Sequence, residues 1–143
     1  MRKSFLAACV LAMAFTLAMT NASAQDDFYK GKTVRIIVGA AAGGGYDTYS
    51  RIIARHMGKH IAGNPTFVVD NMPGAGFLIS ANYMYKVAKP DGLTIGHFIG
   101  GLFLQQLLGK PGVEFDGTKF GFIGVPTQDN YVIGISKKTG ITS

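Results

Sequence analysis

The feature that most constrains this chain is a repeated junction, in which a short β-branched run ends in glycine-rich backbone and passes at once into a helix-forming stretch. Thr33-Val34-Arg35-Ile36-Ile37-Val38 is apolar at nearly every position and stops at Gly39. Such a run suits a strand buried on both faces of a parallel sheet. Gly39 to Gly45 is too rich in glycine for regular structure. Tyr49, Ile52, Ile53, His56 and Met57 then fall on one helical face, and Arg51, Arg55 and Lys59 form a basic stripe at intervals of four. Asp47, with Thr48 behind it, is placed to cap the start of that helix.

The same junction recurs. Gly63-Asn64-Pro65 breaks the helix, and Thr66-Phe67-Val68-Val69 is the second strand. Asn71-Met72-Pro73-Gly74-Ala75-Gly76 is loop, after which Leu78, Ala81, Met84, Tyr85 and Ala88 align as the buried face of a second helix. Lys89-Pro90-Asp91-Gly92 is a turn, and Leu93-Thr94-Ile95-Gly96 is a third strand. Strand, helix, strand, helix, strand with short connections is the pattern of an α/β layer with a parallel sheet and right-handed crossovers. Further on, Leu102 to Leu108 is expected as a short buried helix and Pro111 to Gly121 as an irregular excursion. Phe122 to Val125 and Tyr131 to Ile135 are expected as strands.

Residues 1–24 read as an export signal. Arg2 and Lys3 give a positive start, Phe5 to Met19 is an uncharged apolar run, and Ala22-Ser23-Ala24 supplies small residues for cleavage before Gln25. The apolar run is shorter than the roughly 20 residues of a spanning helix. Leu6-Ala7-Ala8-Cys9 has the look of a lipid-attachment motif, but the apolar run continues past it to Met19. Cys9 is the single cysteine, so cleavage leaves residues 25–143 with no disulfide and no thiolate metal site. The end at Gly140-Ile141-Thr142-Ser143 supplies helix caps with no helix to follow, which suggests an interruption of a longer protein and makes a non-binding truncated fragment one of the alternative readings.

The formal charge of +6 loses two units with Arg2 and Lys3. The remaining basic residues are scattered, without the dense run that nucleic acid or anionic lipid requires.

Ligands of an open parallel sheet lie beyond the carboxyl ends of its strands. Both glycine-rich loops stand there. Gly43-Gly44-Gly45 and Gly74-Ala75-Gly76 precede helix starts, so backbone N–H groups and helix dipoles converge on a cradle for an anion, most simply a carboxylate. The plainer alternative is that these glycines serve tight turns alone. A phosphate loop is excluded, since Gly44 is followed by Gly45 and Tyr46 where lysine and a hydroxyl residue are needed. The dinucleotide fingerprint is absent too, although Asp70 stands where a ribose-binding acid belongs, which keeps a nucleotide-binding enzyme as the second reading. His56 and His60 are spaced for a metal, but Met57 takes the place of the HExxH glutamate, and both histidines sit on the apolar side as partly buried packing residues. Tyr46, Tyr49, Tyr83 and Tyr85 are core and rim aromatics. No nucleophile and base pair can be assembled, and no metal or cofactor is expected.

Three stretches together carry a family resemblance: Gly43-Gly44-Gly45-Tyr46-Asp47, then Val69-Asp70-Asn71-Met72-Pro73-Gly74-Ala75-Gly76, then Lys89-Pro90-Asp91-Gly92-Leu93-Thr94-Ile95. From about Lys32 to Ser143 the chain resembles the Bug-type extracytoplasmic receptors, the substrate-binding components of tripartite tricarboxylate transporters. The resemblance implies the first lobe of a periplasmic-binding-protein type II clamshell, ending near an interlobe crossover at Ser136 to Ser143. It implies a periplasmic, non-enzymatic receptor, monomeric at full length, that delivers a small carboxylate to membrane transporter subunits. Carried over by position, the ligand contacts are Ala41, Ala42, Gly43, Gly44, Gly45, Tyr46 and Asp47 in the first loop and Asn71, Pro73, Gly74, Ala75 and Gly76 in the second. One departure is visible: Ala41-Ala42 stands where the family has Pro-Pro, which loosens the first loop.

Overall fold

The computed structural model describes residues 28–127 and Ser136. The leader with Cys9, the Tyr131 to Ile135 strand and nearly all of the expected crossover lie outside the described residues.

Three parallel strands form the sheet: β1 (Thr33–Val38), β2 (Thr66–Asn71) and β3 (Thr94–His97), in the order β2-β1-β3. The register pairs Val38 with Asn71 on one side and with His97 on the other. Central position explains the composition of β1. Ile36, Ile37 and Val38 are all buried although successive side chains point to opposite faces, so both faces of the strand are covered at its carboxyl end. The result is a small α/β domain, and the sequence reading of the three strands holds to within about two residues at their ends.

Two helices flank the sheet. α1 (Gly45–Met57) packs on β2 and β1, and α2 (Leu78–Lys86) packs on β3 and β1. A short α3 (Leu102–Leu107) follows β3. It contributes Leu102 to a second apolar cluster with Ala81 and Phe115, sealed by Phe98, Phe103 and Phe120. The 113–120 excursion is therefore irregular in backbone and yet supplies core. No helix among the described residues is long and apolar enough to cross a membrane.

Several expectations are corrected. α1 does not bury its apolar stripe: Tyr49 and Ile52 are exposed, and Asp47 and Ser50 face inward. The reason is that these short polar side chains find hydrogen-bond partners at the carboxyl end of the sheet, described below, which offset the desolvation cost of their burial. His56 and His60 accordingly lie exposed and are not packing residues. Asp47 is not the N-cap either. Gly44 holds that position, and Asp47 acts from inside the first turn, accepting the Gly43 N–H at 2.8 Å. Phe122 to Val125 is no strand, and its apolar side chains are largely exposed. A strand requires a ladder neighbour, and this stretch pairs with none among the described residues. α3 is less buried than expected, with Leu104 and Leu107 turned outward.

The central place of β1 yields a measurable expectation. Ile37 is fully buried. Ile37→Ala should lower unfolding free energy by about 2–5 kcal/mol, seen as a reduced urea midpoint at unchanged slope. A loss under about 1 kcal/mol would be incompatible with a strand enclosed on both faces.

Candidate functional site

The loops that follow β1 and β2 meet at one end of the sheet because their strands run side by side in the same direction. A polar knot fixes them to each other. The Asn71 side-chain amide donates to the Ala40 carbonyl and to Asp47 Oδ1, both at 2.9 Å. Arg51 Nε donates to Asp47 Oδ2 at 2.9 Å, and Arg51 Nη2 donates to Asn71 Oδ1 at 3.1 Å. The Met72 N–H adds a bond to the Val38 carbonyl at 2.7 Å. Asn71 is thus a bridge between loops, with its donors and its carbonyl all engaged. Arg51 and the Gly43 amide hold the Asp47 carboxyl far below its ordinary value, so it remains ionised across the working pH range.

Of the first-loop residues singled out from the sequence, Ala41 to Gly45 are exposed, Tyr46 is half-buried and Asp47 is buried. Two amides of the run are already taken, Gly43 by Asp47 and Gly44 by the Ala41 carbonyl at 3.4 Å. Gly43 has φ +84°, a left-handed conformation that turns the chain toward the helix and favours glycine.

The second loop is more constrained. Ala75, Gly76 and Phe77 occupy consecutive left-handed conformations at φ +45°, +60° and +73°. Two of the three carry a Cβ, so the backbone stores strain of about 1–3 kcal/mol per residue, a cost met most often at ligand-contacting segments. Gly74 precedes them at φ +139°, and a Cβ there would run into Ile79. Pro73, Ala75 and Gly76 are exposed and Gly74 is half-buried. Phe77 returns to the first loop, its ring centroid 4.8 Å from that of Tyr46. Gly39 is glycine for this reason: a Cβ there would collide with the Phe77 ring and with Ser80 Oγ.

The third strand supplies what the sequence reading passed over. The strand order doubles back at β1, so the loops after β1 and β3 diverge and leave a crevice between the ends of these strands, the usual ligand position in such sheets. A cavity of about 630 Å³ runs alongside β3, from Met84 and Thr94 to the first turns of α1, and no β1 residue lines it. Gly45, Tyr46 and Tyr49 line it from α1, Gly96, His97 and Phe98 from β3 and its exit, and Phe103 and residues 120–127 from the far side. His97 sits at the end of β3 with Nδ1 2.7 Å from Ser50 Oγ and its ring 4.9 Å from that of Tyr46. Burial pushes its pKa below 6.5, partly offset by a backbone hydrogen bond to Tyr46. The ring and the Ser50 hydroxyl share this hydrogen bond, its direction set by the tautomer of the imidazole. Ser50 is fully buried, which makes it a partner of the ring and no exposed nucleophile. Only Gly45 and Tyr46 of the predicted contacts reach this cavity. The signal that would have found the rest is the strand-end rule applied to the third strand as well as to the first two.

Asp70, the candidate ribose-binding acid, is bound by Arg35 Nε at 2.8 Å across β1 and β2. No group of three or more potential metal ligands gathers among the described residues.

No protein-family model matches the chain. It is similar to the "UPF0065 protein in gbd 5'region" of Cupriavidus necator, 37% identical over 97 residues, which is 66% of this chain and 29% of that relative. A UPF0065 protein of Bordetella bronchiseptica is 31% identical over 90 residues, covering 63% of this chain and 26% of the relative. A third, from the TAR-I ttuE-ttuC' intergenic region of Agrobacterium vitis, is 39% identical over 95 residues, with 66% and 25% covered. The chain thus spans between a quarter and three tenths of the length of the curated relatives it matches. Their names state no ligand or activity.

The Asp47 knot has a signature in acid. A carboxyl whose folded pKa lies below its ordinary 3.8 stabilises the fold above that value and loses the contribution as pH falls toward the folded pKa. Melting temperatures at about pH 6 and about pH 2.5 should fall further for the native sequence than for Asp47→Asn. Equal falls would mean that the carboxylate contributes nothing through its charge.

Proposed function

We propose that this chain is the ligand-capturing part of an extracytoplasmic solute receptor for small carboxylates, corresponding to the first lobe of a type II clamshell. The observation that carries the reading is the meeting of two exposed, glycine-rich strand-to-helix loops at one end of a parallel sheet, locked together by Asn71. Exposed peptide N–H groups at the start of a 13-residue helix favour negative charge through hydrogen bonding and the helix dipole. The strained run from Ala75 to Phe77 presents backbone at the same end. The resemblance to Bug-type receptors points the same way.

Under this reading the leader exports the protein to the periplasm, and the loaded receptor hands its ligand to a tripartite tricarboxylate-type transporter. Main-chain donors select for a carboxylate end and discriminate little between bodies, so the remainder of the cleft sets specificity.

The cradle in this chain faces open solvent, so an anion bound there keeps much of its hydration and affinity is low. Titrating the ¹⁵N-labelled chain with succinate at constant ionic strength should give saturable shifts at Ala41, Ala42, Gly45, Ala75 and Gly76, with dissociation constants on the order of millimolar. The amides of Gly43 and Gly44, already bonded internally, should move less. Shifts reproduced by an equal concentration of chloride, or absent from both loops, would remove the basis for the proposal.

A further inference from the structure

The geometry points to a narrower ligand class for the same site: a monocarboxylate with an aromatic or similarly flat apolar body, whose ring occupies the cavity between α1 and β3. The inference rests on the carboxylate reading above and adds to it the chemistry of the rest of the ligand.

Three observations lead there. First, the cavity lies between the first turns of α1, strand β3 and residues 120–127 and has a volume of about 630 Å³, within the roughly 300–1,000 Å³ typical of small-molecule sites. Second, its lining is apolar and aromatic. Tyr46, Tyr49, Phe98, Phe103 and Phe122 are among its lining side chains, and aromatic rings favour contact with a further ring. Third, no Lys, Arg, Asp or Glu lines it among the described residues, and its imidazole, His97, has its pKa lowered by burial and is engaged with Ser50. A di- or tricarboxylate placed here would leave its second charge in an apolar cavity without a counter-charge, at a large desolvation cost. A ligand with one carboxylate avoids that cost. Gly45 and Tyr46 belong both to the helix start and to the cavity wall, so the carboxylate of such a ligand meets the first-turn amides and its body continues directly against Tyr46 and His97.

The test uses the full chain with three probes: benzoate, methyl benzoate and citrate. Saturation-transfer NMR should show magnetisation passing to the benzoate ring, with amide shifts at Gly45, Gly96, His97 and Phe98, and citrate should bind at least about tenfold more weakly. A blocking variant separates the cavity from the cradle. A Cβ at Gly100 enters open space on the cavity wall, so Gly100→Phe fills the cavity without a backbone clash. It should weaken benzoate binding by about tenfold or more, while the circular dichroism spectrum and the citrate shifts at Ala75 and Gly76 stay unchanged. Citrate binding at both loops with no benzoate response overturns the aromatic inference and leaves the carboxylate reading standing. Methyl benzoate binding as well as benzoate overturns the carboxylate reading and with it the inference. Benzoate affinity unaltered by Gly100→Phe places the ring elsewhere and overturns the inference alone.

Discussion

Strand β1 is hydrogen-bonded along both edges and covered on both faces, and the other elements take their positions from it. Because both neighbours run parallel to it, three strand ends arrive at the same edge of the sheet. Parallel pairing requires a crossover each time, so every strand end is followed by a loop and then a helix or helical turn. One constraint, the buried apolar end of β1 from Ile36 to Val38, thereby places Asn71 and His97 on either side of Val38, next to Gly39. The Gly39 N–H donates to the His97 carbonyl at 3.1 Å, and Met72 closes the other side onto Val38.

This arrangement accounts for the unusual orientation of α1. An amphipathic helix normally turns its apolar stripe inward. Here the inward positions at the start of the helix are Asp47 and Ser50, which have strong partners in Asn71, Gly43 and His97. A buried polar group with its hydrogen bonds made costs little, and the short side chains allow the helix to approach the sheet closely. Tyr49 and Ile52 are left on the outside as a consequence. Tyr49 then becomes part of the cavity wall.

The strands, helices and loops around the site were legible from the sequence, since apolar runs, glycine punctuation and the Pro90-Asp91-Gly92 turn act locally. The inward face of α1 was not. Its period correctly identified a helix, but the choice of face depends on hydrogen bonds to Asn71 and His97, 24 and 47 residues distant. Ser50 and His97 carry no mark in the sequence that distinguishes them from surface residues. The 122–125 stretch misled for the opposite reason: its composition favours a strand, but strand formation depends on a neighbour that composition does not supply.

Asp47 changes how the anion site must be understood. The first loop contains its own carboxylate, ionised and bonded to the Gly43 amide, so one of the donors that a ligand would seek is already used. Arg51 lies beside it and cancels the charge, which spares an incoming anion the repulsion that a bare carboxylate would exert. The donors left to a ligand then shift along the chain toward Gly45 and the first turn of α1. On the proposed reading this places the anion near Gly45 and Tyr46, the two residues of the first loop that also line the aromatic cavity. On the proposed carboxylate reading, the polar knot that joins the two loops would fix where charge is accepted, and the apolar cavity beside it would select what that charge is attached to.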